Sequence, residues 1–276
     1  MSTRHVSIVT AGALALLALL SPVTPARAAS ADSLATLRGR LQAAVNAART
    51  DQVLAVRQDF QSLAAATPED ARLSYWSALS AWRAIGFMRD DKQRRVSEDL
   101  LESALVEVDR AIEKEPGFAE NHALKSALLG FKIQFGGMAL GMTLGPEMAR
   151  LEERAETLAP ANPRVLLLRG MMTLHRPAFI GGGAKKALPI LEQAIAAFEA
   201  ASATDARTAD WGRDDAHVWA GNAARKLDDP ARAIAFYERA LVVNPEMGWA
   251  RKLLDETRKS STAKGSAGGK RGGRTS

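Results

Sequence analysis

Apolar residues recur at intervals of three and four along almost all of residues 32–258, the spacing that lays one stripe down the side of an α-helix. Leu34, Leu37, Leu41, Val45 and Ala48 predict a first helix. Val53, Val56, Phe60 and Leu63 predict a second that stops at Thr67-Pro68. A third is predicted over 69–87, a fourth over 94–115 ended by Pro116, and a fifth over 119–135. Pro146 suits the first turn of a sixth, because a helix start leaves that amide unbonded anyway; this helix closes at Pro160. Residues 163–175, 186–200, 214–227 and 231–243 supply four more, and a last follows Pro245. No alternating β-branched run competes, and only 5% of residues are aromatic, so the chain reads as all-α.

The helices fall into pairs closed by proline, which calls for a repeat search. The clearest unit is 214–247, with Gly221 at a close helix crossing, Ala233 and Ala240 at contact positions of the second helix, and Tyr237 between them. Its run from Ala233 to Pro245 resembles the second half of a tetratricopeptide (TPR) repeat. Ala104, Val108, Ala111 and Pro116 keep the same offsets; Ala155 and Pro160 keep the last two, with Gly170 placed as the first-helix glycine. Ala187, Leu191 and Ala194 fit without a closing proline. The resemblance covers nearly all of 32–258. It implies a right-handed superhelical solenoid of about five TPR-like helix pairs with inserted loops and a C-terminal capping helix. It further implies a concave groove, lined by first helices, that holds a protein or peptide partner. Asn222, Arg225 and Lys226 are the groove candidates of the best unit. Val218 stands where a chaperone-tail clamp would need lysine, so that ligand is not expected.

Charge changes the picture at the ends only. The chain of 276 residues carries a net charge of +6. Residues 1–28 and 257–276 together hold eight of the bases and no acid, so the middle is acidic by two. That speaks against a nucleic-acid footprint on the folded body. Residues 1–28 read as an export signal. Arg4 precedes the apolar stretch Val6–Leu20, and Ala26-Arg27-Ala28 presents a cleavage pattern, cut after Ala28. The stretch is shorter than the ~20 apolar residues of a span, so no transmembrane segment is expected after cleavage. The absence of cysteine fits an oxidising compartment, periplasmic or secreted, and removes thiol nucleophiles and thiolate metal sites. Residues 29–259 form the repeat domain. Residues 260–276, basic and without a large apolar side chain, predict a disordered tail available to anionic surfaces.

Two insertions, 136–145 and 176–186, interrupt the pairs and should emerge on one edge. Both are rich in glycine yet apolar, and their pairing looks like a subgroup of exported bacterial TPR proteins without assigned chemistry. The first reading of these loops is burial of Met138, Met142, Phe179 and Ile180 under the array edge. The second is a partner contact made by the same four residues. The third is a small-anion site, with the amides of Gly181, Gly182 and Gly183 and the ammonium groups of Lys185 and Lys186. The phosphate-loop spacing is absent.

His122, His175 and His217 lie in separate first helices and read as packing or surface residues. Trp76, Trp82, Trp211, Trp219 and Trp249 are spread over the array and read mostly as packing. The histidine spacing makes no zinc motif, and no nucleophile is placed with a base. The expectation is therefore a non-enzymatic scaffold of the bacterial envelope that uses no cofactor or metal. It binds a protein or peptide partner, with an anionic small-molecule ligand as the alternative.

Overall fold

The computed structural model describes residues 25–88, 90–201 and 211–269. Among these, ten α-helices follow one another: α1 Pro25–Asn46, α2 Thr50–Ala66, α3 Ala71–Phe87, α4 Arg94–Lys114, α5 Ala119–Leu158, α6 Pro163–His175, α7 Ala184–Ala200, α8 Arg213–Lys226, α9 Pro230–Val243 and α10 Gly248–Gly269. Short 3-10 turns lie at Asp91–Gln93 and Ala178–Ile180. Sequential helices pack on each other, giving an all-α helical solenoid.

Four of the junctions between pairs are copies of one another, and proline is the reason. Pro68, Pro116, Pro160 and Pro245 each follow the residue that ends a second helix. A proline ring clashes with a helical conformation of the residue before it. Thr67, Glu115, Ala159 and Asn244 accordingly take extended φ between −132° and −153°. Each still donates its amide to the carbonyl four back, at Leu63, Ala111, Ala155 and Ala240. Its own carbonyl accepts from the residue three ahead, at the start of the next first helix. The α7–α8 junction lacks the proline and is longer; residues 202–210 within it lie outside the described residues.

Small side chains set the distance within pairs. Ala104, Ala111, Ala155, Ala187, Ala194, Ala233, Tyr237 and Ala240 are all fully buried. A Cβ on Gly221 would stand 2.4 Å from Tyr237 Cε1, and one on Gly170 would stand 2.6 Å from Leu191 Cδ2. Each glycine therefore brings its second helix to contact distance.

The segment 136–145, read from its glycines as a loop, is helical. Only Gly137 departs, at φ 78° and ψ −168°, and there α5 doubles back. Gly130 faces Met148, Ile133 faces Gly141, and Ser126 donates to Glu152, an antiparallel pairing on either side of the turn. The two halves of α5 are thus the first and second helices of one pair. Pro146 does not start a helix; it lies inside the second half on an exposed side.

At the ends, most of the expected export signal (1–24) and part of the tail (270–276) lie outside the described residues. Helix α1 begins at Pro25, ahead of the expected cut. Helix α10 runs through Gly269, ten residues into the stretch expected to lack structure. No proline follows Pro245 to stop it.

Candidate functional site

First helices run parallel from pair to pair. Arg164 meets Glu120 near the starts of α6 and α5, while Gly130 meets Met172 near the far end. His175 packs on Trp219, Trp219 on Trp249, and Arg225 approaches Glu256, which aligns α6, α8 and α10. The far ends of the first half of α5 and of α6, and the turns that follow them, therefore emerge on one edge.

The middle of the first-helix face, expected as an open groove, is closed. Leu79, Leu124, Leu167, Leu168 and Met171, from three first helices, are buried, and contacts from α3 to the start of α8 cross the face. Trp211, just ahead of α8, reaches α3: its Nε1 donates to Tyr75 Oη at 2.9 Å, and Tyr75 in turn donates to Glu120 at 3.0 Å. Glu120 also accepts from Arg164 Nε (2.8 Å) and Asn162 Nδ2 (3.0 Å). Burial, reinforced by Glu120, holds the Tyr75 phenol well above its ordinary pKa. Arg83 of α3 grips Asp215 of α8 through both terminal nitrogens. Burial opposes the Arg83 charge, and Asp215 more than offsets it. The adjacent Asp214 is raised by burial and by Asp215. It accepts from Asn244 Nδ2 at 2.6 Å, and Asn244 also bonds Asn46 at the end of α1. The last pair thereby touches both the first and the second.

What stays open on this face is an aromatic shelf. His175, Trp219 and Trp249 come from α6, α8 and α10, with successive ring centroids 5.4 Å apart and edge-to-face. Both indoles are half-buried and the imidazole is exposed at its rim. Partial burial, then the nearby Lys226 ammonium, lowers the His175 pKa and favours the neutral ring near pH 7. Of the three groove candidates, Asn222 is occupied within its own pair, accepting from Tyr237 Oη at 2.8 Å. Arg225 and Lys226 flank the shelf. Sequence reading assigns the shelf residues to packing; the signal that could have found them is their place on successive first helices.

The two interrupted turns project from the edge. Burial does not cover their apolar residues: Met138 is 74% exposed, Met142 73%, Phe179 79% and Ile180 58%. The short turns leave no second layer to fold over them.

The glycine turn is closed upon itself. The amides of Gly181, Gly182 and Gly183 donate to the carbonyls of Ala178, Pro177 and Thr173. A Cβ on Gly182 would fall 2.0 Å from the Arg176 carbonyl oxygen, so this glycine permits close backbone contact. The amides expected to hold an anion are already bonded, which removes the main donors of that alternative. Gly181 and Lys186 instead border a cleft of about 350 Å³ shared with Glu152, Glu153, Glu156, Arg169 and Arg176. Its ion pairs, Arg176–Glu152 and Arg169–Glu156, are internal.

No family model matches the chain, and no curated protein matches its sequence. Solved structures share its fold, among them two of different character. The HusA haemophore from Porphyromonas gingivalis aligns with a TM-score of 0.59 at 22% identity, over 73% of this chain and 94% of that one. A thermophilic TPR protein from Thermus thermophilus aligns with a TM-score of 0.56 at 17% identity, over 80% of this chain and 98% of that one. At these identities the likeness concerns architecture: a TPR-like stack of helix pairs.

Proposed function

We propose that this chain is an exported, non-enzymatic scaffold of the bacterial envelope that binds a protein or peptide partner across the aromatic shelf. One observation carries the reading: Trp219 and Trp249 stand half-buried together on the first-helix face, with the Lys226 ammonium near His175 at their rim and Arg225 approaching Glu256 of α10. Tryptophan and arginine dominate the few residues that supply most interface energy. Export rests on the Arg4–Leu20 pattern and the cut after Ala28, which N-terminal sequencing of the mature chain checks. Capture from a periplasmic extract by wild type, but not by Trp219→Ala with Trp249→Ala, is the expected result. Equal eluates from both proteins overturn the reading.

A second reading is favoured by His175, whose neutral imidazole adjoins the same indoles. A structural neighbour is a haemophore, and a planar tetrapyrrole is a ligand that such a shelf could stack, with Lys226 available to a carboxylate. Titration with haemin should then give a Soret shift that His175→Ala removes. An unchanged spectrum, or one indifferent to that substitution, eliminates it.

A further inference from the structure

The cleft bordered by α5, α6 and α7 is a separate site from the shelf, and we infer that it binds a small zwitterion, a free amino acid or dipeptide carrying both an ammonium and a carboxylate. Its volume of about 350 Å³ lies at the lower end for small-molecule sites, which span roughly 300–1,000 Å³. Helix α6 packs against both α5 and α7. It presents Arg169, Thr173 and Arg176 to the cleft, at intervals of four and three that keep them on one stripe. Glu152, Glu153 and Glu156 come from the second half of α5, and Lys186 from the start of α7.

Pairing within the cleft leaves one charge of each sign without a partner. Arg176 meets Glu152 and Arg169 meets Glu156, both at 2.7 Å, so the two arginines of α6 are held against α5. Glu153 and Lys186 have no ion-pair or hydrogen-bond partner among the described residues. The Lys186 Nζ lies over Gly181, 3.7 Å from where a Cβ would stand, and glycine leaves that approach clear. Thr173 is only 5% exposed, yet its hydroxyl also has no hydrogen-bond partner among the described residues. Buried polar groups are otherwise nearly always bonded, so this one points to an absent acceptor. A plain anion would meet Lys186 together with three carboxylates, and a plain cation would meet Glu153 together with three bases. A ligand bearing both charges gains at both ends. Its carboxylate accepts from Lys186 Nζ and Thr173 Oγ1, its ammonium donates to Glu153, and Ile190 offers contact to an aliphatic side chain.

The test is calorimetric titration of the mature chain with leucine and with alanyl-leucine. The controls are N-acetyl-leucine, which lacks the ammonium, and leucine amide, which lacks the carboxylate. Leucine or the dipeptide should bind, and each blocked compound should bind about tenfold more weakly, the loss of one charge-assisted hydrogen bond. Glu153→Gln should weaken leucine and remove its advantage over N-acetyl-leucine. Lys186→Met should weaken leucine and remove its advantage over leucine amide. Both side chains are exposed, and unchanged thermal melts would verify the fold. Tighter binding of leucine marks a free amino acid as the ligand, and tighter binding of alanyl-leucine marks a dipeptide. The inference is overturned if neither binds at millimolar concentration, or if a blocked compound binds wild type as well as leucine does. Affinities indifferent to both substitutions overturn it equally.

Discussion

Ala48 and Asp228 have positive φ, 51° and 59°, each in the turn between the helices of its pair. Asp228 follows the sequence logic of a turn, because aspartate tolerates the left-handed region. Ala48 does not, and its Cβ crowds the following carbonyl there. The amides around both residues bond alike: Ala48 to Val45 and Arg49 to Ala44, Asp228 to Arg225 and Asp229 to Ala224. Pair one and pair five thus share a turn that their sequences conceal. Ala48→Gly should relieve the strain and raise stability by about 1 kcal/mol, read as a higher urea midpoint with an unchanged slope.

Among elements, α5 separates what composition suggests from what packing permits. Glycine costs a helix roughly 1 kcal/mol relative to alanine, so a segment with Gly136, Gly137, Gly141 and Gly145 reads as a loop. In the structure only Gly137 uses its freedom; Gly136 and Gly141 are helical and lie against Leu140 and Ile133. A Cβ on Gly137 would meet nothing within 4 Å, so any effect of substitution comes from the backbone alone. Its φ and ψ lie in a region that is essentially glycine-only. Gly137→Ala should therefore destabilise the hairpin by about 1–3 kcal/mol. Hydrogen exchange would show faster opening across 130–148 than across α8 and α9. The proline junctions were legible because a local clash decides them. The closed glycine turn at 181–183 was not, since its amide partners come from α6 and the turn itself.

Across the whole molecule, the contact between the second and last pairs depends on buried charge. Arg83 and Asp215 lie 132 residues apart, and both are nearly out of water. Removing one member of such a pair leaves an uncompensated charge in the interior, at a cost of about 3–5 kcal/mol. Arg83→Met should lose that much in denaturant melts. Arg83→Met combined with Asp215→Leu should recover most of it, because an apolar pair replaces the ions without a desolvation penalty. A double variant as unstable as the single one would show that closure does not run through this pair.

The helix order, the proline-ended pairs and the small residues at their crossings followed from the sequence itself, because each is decided within a few turns of chain. Gly221, Ala240 and Pro245 carry that information by size and backbone restriction alone. Tertiary structure decided the rest. It brought Trp211 to Tyr75, set His175, Trp219 and Trp249 in one row, and left Met138 and Phe179 facing outward. Those outcomes depend on how much each pair rotates against the next. That rotation accumulates over the stack through many small contacts, and no local run of residues encodes it.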